Sequence, residues 1–378
     1  MSLGRTRGIA LQGIEGALVE VEAYLVQGLP LVMFSGLPDA ACRQAPDRIK
    51  AAAANSGVTI PNRRLTVNLS PASITKVGSG WDLPIAVAVL AAAEVFKAEV
   101  VARVVHIGEL GLDGSIRPVR GVLPVVLAAV RLGMTQIVVP AANAAEASLV
   151  PGISVVPARH LRDLVSRYQA MGRGEQPESL VVDPSAPIDD IVVPDLRDVV
   201  GQDEARLALE IAAAGRHHLF LSGPPGAGKT MLAERLPSLL PDLEPAHALE
   251  VTAIHSVLGA LPKSGALIVR PPFVAPHHGA SMPAIVGGGS GFIRPGAISR
   301  AHHGVLFLDD SSDALTTRET STGGAVKIVR LRSTPRRIRC LSRAGSAPLR
   351  PRCSVPYDVP VRESPAGSYW TSMRGHLC

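Results

Sequence analysis

Residues Gly223, Pro224, Pro225, Gly226, Ala227, Gly228, Lys229 and Thr230 match the spacing G-x-x-x-x-G-K-[ST]. These residue types suit the capture of phosphate. Glycines at 226 and 228 let backbone amides curl toward phosphate oxygens, and the start of the following helix adds positive potential. Lys229 would reach the β- and γ-phosphates of ATP, and the Thr230 hydroxyl would coordinate Mg²⁺. A Gly/Pro surface turn could carry the same letters, so the flanking elements decide. "HHLFLS" before the run predicts a buried strand and "MLAERL" after it an apolar helix, which is the context the motif requires.

About 80 residues further on, "GVLFLDD" places four apolar residues, Val305 to Leu308, ahead of Asp309 and Asp310. A strand of the same parallel sheet ending in an acid beside the loop would let Asp309 hold Mg²⁺ through water. Asp310 stands where ATPases of this type carry Glu to orient the attacking water. Its side chain is one methylene shorter, and a displacement of about 1 Å can lose on the order of a hundredfold in rate. Binding should survive better than hydrolysis.

The chain has 378 residues, enough for two domains with their own cores. Its longest apolar runs, such as "LPIAVAVLAAA" from Leu83, fall short of a membrane span. The first residues, broken by Gly and Glu, predict no secretory leader, so a cytoplasmic location is expected. The net charge of +6 is unevenly spread: residues 311 to 378 hold 12 Lys and Arg against 4 Asp and Glu, and residues 1 to 310 are net −2. Cys340, Cys353 and Cys378 share that basic segment, while Cys42 stands alone before it. No paired CxxC spacing suggests zinc, and free thiols are expected.

Strand alternation in "GALVEVEAYLVQG" presents Leu18, Val19, Val21 and Tyr24 among polar neighbours. A helix is expected from Pro46, tolerated as a first helical residue, to a cap at Gly57. "RLTVNLSPA" reads as a strand, "LPIAVAVLAAAEVF" as a buried helix, and "VVHIGELGLDGSIRPV" as a hairpin turning at Asp113-Gly114. "GVLPVVLAAVRLG" reads as a helix and "QIVVP" as a buried strand, giving an α/β domain over residues 1–171. Residues 172–195, rich in Pro, Asp, Glu and Ser, read as a linker. A helix from Gln202 to Ala214, packed by Leu207, Leu209 and Ile211, opens a second domain over 196–310.

The succession "NLSPASITKVGSGWDLPIAVAVLAA" and "GELGLDGSIRPVRGVLPVVLAAVRLG" resembles the peptidase domain of Lon proteases. That family carries a nucleophilic serine just before the first helix and a lysine near the start of the second. Here those positions fall at Trp81 or Asp82 and at Leu123, which leaves no acyl-enzyme chemistry. Lys76 and Ser73 read as a solvated loop lysine and a turn serine. Together with "GLPDAACRQAPDRIKAAAANSG" and "RPPFVAPHHGASMPAIVGGGSGFIRPGAISRAHHGVLFLDD", these motifs resemble the YifB/ComM family of magnesium chelatase-like AAA+ ATPases. The resemblance implies a Lon protease-like α/β domain without peptidase activity, then a partial AAA+ P-loop NTPase core. It also implies a homo-oligomeric ring and ATP-driven branch migration of DNA during recombination. A nucleotide-binding module that does not hydrolyse is the alternative; a magnesium chelatase ATPase subunit rests on the shared module alone.

His277 with His278, and His302 with His303, form two adjacent pairs. On an extended segment neighbours point to opposite faces, so packing and partner contact are expected rather than metal binding. "VGGGSG" reads as a flexible loop, which in this family looks like a pore-facing insert. Beyond Asp310 the family's sensor strand, arginine finger and lid are not recognisable. Residues 311–378 read as a basic, low-order tail. The abrupt change in charge, cysteine content and periodicity after Asp310 predicts a shifted reading frame.

Overall fold

The computed structural model describes residues 2–176, 194–224, 226–262, 264–277, 279–288 and 294–308, and the backbone of four strands beyond them. Two compact units emerge: residues 1–189, 252–267 and 290–294 form the first, and the remainder forms the second.

The first unit is built on a seven-stranded mixed sheet. Its strands are β1 (Ser2–Gln12), β2 (Glu15–Val26), β3 (Val32–Ser35), β4 (Arg64–Ser70) and β5 (Val105–His106). β6 (Glu109–Leu110) and β7 (Ile116–Arg117) form a separate small ladder, and β8 (Gln136–Pro140) and β9 (Ser154–Ala158) complete the sheet. Its order is β3-β4-β2-β1-β5-β8-β9. β1 and β2 pair antiparallel along their whole length, whereas β5, β8 and β9 are parallel.

Val19, Val21, Ala23 and Leu25 of β2 all face the core; Leu18 and Tyr24 lie half-buried on the other face. Period two thus holds, but on a register that includes Ala23 and Leu25. The expected hairpin is confined to Glu109–Arg117, with Gly114 at φ +89 in the turn; Val105–His106 belongs instead to the main sheet.

Helix α1 (Ala40–Arg43) is short, and α2 (Ala45–Asn55) starts one residue before Pro46, with Gly57 left-handed behind it at φ +75. α3 (Asp82–Ala92) is buried at every position, as a helix apolar all round must be. It rides directly on β1: a Cβ at Gly4 would lie 2.0 Å from the Ala88 carbonyl oxygen. α4 (Val122–Arg131), α5 (Ala144–Ala147) and α6 (Leu161–Gly172) complete this unit's named helices.

The second unit carries a five-stranded sheet. β10 (His218–Ser222) and β11 (Phe273–Val274) belong to it; β12 (Gly287–Gly288) and β13 (Arg294–Pro295) do not. β14 (Val305–Leu308), β15 (Lys327–Arg332) and β16 (Arg339–Leu341) complete the order β11-β14-β15-β10-β16. All neighbours are parallel except β16, which runs against β10. β15 and β16 come from the segment whose sequence offered no strand pattern. The sequence signal for β15 is short: Ile328, Val329 and Leu331 set among cations.

α7 (Asp203–Ala214) packs through Ala205, Leu209, Ala212 and Ala213, while Leu207 and Ile211 are exposed. Of the three large side chains expected to pack, Leu209 is buried, and alanines make up the rest of the packed face. α8 (Lys229–Glu234) follows β10, and α9 (Pro245–Leu258) lies between β10 and β11 in the chain. Most of the expected linker, residues 177–193, lies outside the described residues.

Candidate functional site

β10 delivers the phosphate-loop motif to the end of the sheet. Leu219 and Leu221 alternate into the core beside Leu209, Leu232 and Phe307, fixing the strand, and Ser222 is the last residue before the loop. Gly226 (φ +81) and Gly228 (φ +75) hold left-handed conformations that other residues adopt only under strain. At Gly228 a Cβ would also meet Met231 Cε at 3.2 Å and Gln202 Nε2 at 3.3 Å.

Lys229 folds back over the loop, its Nζ donating to the carbonyls of Gly223 at 2.9 Å and Pro224 at 3.0 Å. Thr230 is exposed on the first turn of α8. Pro225 lies outside the described residues. Beside the loop, Gln202 donates to the Ala227 carbonyl at 3.5 Å, and its Oε1 is buried with no hydrogen-bond partner among the described residues. An amine, a hydroxyl, two turned glycines and an orphaned acceptor are thus gathered at one strand end.

β14 is buried on both faces: Val305 and Phe307 join the core around Leu219, and Leu306 and Leu308 join Val274, Ala297 and Ala301. Asp309 and Asp310 follow it but lie outside the described residues. Register locates the strand's end. Phe220 and Leu308 each pair with Arg330 of β15, so Leu308 lies level with Phe220, two residues before the loop edge. The acid-bearing strand is parallel to the loop strand, ends toward the same edge and is separated from it by β15. The two strands share one sheet, as expected, with β15 as an intervening strand that the motif spacing does not announce.

At the other end of β14, His302 and His303 contradict the extended-segment expectation. His303 sits at φ +54, left-handed, so the two rings turn to the same side, with centroids 4.1 Å apart. Their Nε2 atoms reach the same oxygen of Glu250, Oε2, at 3.3 and 3.1 Å. The His247 ring stacks on His303 at 4.0 Å. Burial lowers the His303 pKa, and the hydrogen bond from His303 lowers that of Glu250. His278 lies outside the described residues, as do residues 289–293 of the expected glycine loop and its surroundings.

In the first unit, Asp82 is fully buried and clasped by Arg48, Nε to Oδ2 and Nη2 to Oδ1, both at 2.7 Å. Burial raises its carboxyl pKa more than Arg48 lowers it. Leu123 is also buried, its backbone N–H held by Glu146 Oε1 at 2.9 Å. Lys76 corrects the reading of a solvated loop lysine: it is wholly buried, with Nζ donating to the Pro71 carbonyl, and burial lowers its pKa. Ser73 is exposed. Cys42 is buried, and its thiol is pushed up to about 12 chiefly by that burial, so it offers no thiolate.

Two family models match parts of the chain. The family model "Magnesium chelatase, subunit ChlI" matches residues 195–321, and "Subunit ChlI of Mg-chelatase" matches residues 21–143. The first match runs past Asp310, the expected end of the resemblance.

An uncharacterized protein of Mycobacterium tuberculosis is 52% identical over 314 residues, 83% of this chain and 61% of its own length. YifB of Escherichia coli is 39% identical over 340 residues, 88% of this chain and 65% of its own. Competence protein ComM of Haemophilus influenzae is 39% identical over 310 residues, 82% of this chain and 60% of its own. The chain therefore spans about three-fifths of these relatives. A local stretch of 57 residues is 44% identical to the Archaeal Lon protease of Archaeoglobus fulgidus. No helix among the described residues is long and apolar enough to cross a membrane.

Proposed function

The chain belongs to the YifB/ComM family, with a Lon-like α/β unit and a magnesium chelatase-like AAA+ unit, and from that premise we propose that its second unit binds Mg²⁺-ATP to drive remodelling of DNA. The observation that carries this reading is the loop after β10. Gly226 and Gly228 put no side chain over the loop at those two positions, and Lys229 and Thr230 follow them. Gln202 adds a buried acceptor without a partner, suited to a donor on the nucleotide.

Lys229 would exchange its two carbonyl contacts for phosphate oxygens, and Thr230 with Asp309 would hold Mg²⁺, which neutralises charge on the phosphates when bound. Asp310 would orient the attacking water. The DNA role rests on the family, within which one relative is a competence protein. Ring assembly and a cytoplasmic location belong to the same proposal.

Calorimetry of the full chain with ATP and Mg²⁺ tests it. Binding is expected for the wild type and its loss for Lys229→Ala; equal affinity of the two would overturn the reading. A second reading, nucleotide binding without turnover, is favoured by the Asp at position 310, and ATP hydrolysis stimulated by branched DNA would exclude it.

A further inference from the structure

We propose that Glu250, His302 and His303 form a site for a divalent transition ion of borderline softness, zinc by its chemistry, at the edge of the second unit's sheet opposite the phosphate loop. Two imidazoles and one carboxylate are a zinc donor set, whereas Mg²⁺ prefers oxygen ligands throughout. The ligand atoms of the three residues lie within 4.8 Å of one another. Ligands bound at about 2.1 Å around a tetrahedral ion sit about 3.4 Å apart. The observed His302 to Glu250 and His303 to Glu250 separations, 3.3 and 3.1 Å, are already close to that edge.

The arrangement is held before any ion arrives. His303 is fixed by its left-handed backbone and by the stacked His247 ring, and its side chain is only 13% exposed. His247 and Glu250 project from one face of α9, three residues apart. An ion would replace the two Nε2–H···O contacts: the proton leaves Nε2, each ring then carries its proton on Nδ1, and the Nε2 lone pair faces the ion. Glu250 is half exposed, so water can complete the coordination.

The site is separate from the nucleotide's Mg²⁺. His302 and His303 precede the start of β14, the phosphate loop follows the end of β10, and the two strands are parallel through β15. They therefore lie at opposite edges of the sheet. An ion here would tie α9 to the turn that leads into β14.

The test titrates Zn²⁺ into the full chain against a chromophoric chelator in millimolar Mg²⁺. One equivalent is expected to bind, at least about tenfold more weakly in His303→Ala and Glu250→Gln. Eleven histidines and four cysteines could hold zinc elsewhere, so the unaltered chain supplies a second measurement. Zn²⁺ should protect His302 and His303 from diethyl pyrocarbonate, read by peptide mass spectrometry. Absence of a bound equivalent, or modification of both residues unchanged by zinc, would reduce the cluster to a hydrogen-bonded contact and overturn the proposal.

Discussion

Arg48 grips both carboxylate oxygens of Asp82 at 2.7 Å, at a point in the first unit where Asp82 has no exposure to water. Removing one partner strands the other charge, which costs about 3 to 5 kcal/mol for a buried pair. Arg48→Ala should therefore lower the urea midpoint of the first unit's transition, and the double variant Arg48→Met/Asp82→Leu should recover part of the loss. An unchanged midpoint in Arg48→Ala would mean that the pair contributes nothing.

The same pair bears on proteolysis. The Lon resemblance implies Trp81 or Asp82 at the place of the serine and Leu123 at that of the lysine, so no turnover of unfolded casein is expected. Activity that copurifies with the chain through several columns and disappears on Lys76→Ala would show that Lys76 acts as a relocated base.

His106 predicts a pH dependence. It lies between Thr6 Oγ1 at 2.8 Å from Nδ1 and the Tyr168 hydroxyl at 2.6 Å from Nε2, and burial pushes its pKa down to about 3. The unfolded ring has a pKa of about 6.5, so between these values the unfolded chain binds the extra proton. This contribution is complete above about pH 6.5 and falls as the pH drops, by up to about 1.4 kcal/mol per unit. Urea midpoints at pH 7.5, 6 and 5 should decline in that order, and His106→Gln should flatten the trend. A variant that declines as steeply as the wild type would assign the effect to other groups.

The glycine-rich turn after β10 was legible because its residues are contiguous and its glycines announce their own backbone. Val305 to Leu308 was legible for a similar reason, since burial on both faces demands unbroken apolar sequence. Lys76 and the histidine cluster were not. The burial of Lys76 depends on what the fold lays over residues 71 to 76, and the shared target of His302 and His303 lies 52 and 53 residues away at Glu250. Nor does sequence announce the left-handed turn at His303, because only a small minority of non-glycine residues, histidine among them, adopt it.

The slot between β10 and β14 bears on the reading frame. It is filled by Lys327–Arg332, a segment with three cations, whereas parallel strands flanked on both sides ordinarily run almost wholly apolar. Translating the gene downstream of codon 310 in its other two frames is expected to reveal an apolar strand ending in Asn, then an arginine finger and a lid. ATP turnover by the present chain should accordingly be very slow. Finding no such pattern in either frame would make residues 311–378 a genuine basic tail.

The contact between Gly4 and Ala88 has an evolutionary meaning. Because the obstacle to a side chain at position 4 is a carbonyl oxygen 2.0 Å away, no neighbouring rotamer can make room. Gly172 differs: a Cβ there would meet only the flexible side chain of Lys97, at 3.6 Å. In a random library sorted for folded protein, position 172 would drift through the alphabet while position 4 stayed fixed. The distance between α3 and β1 is inherited through an atom that is never there.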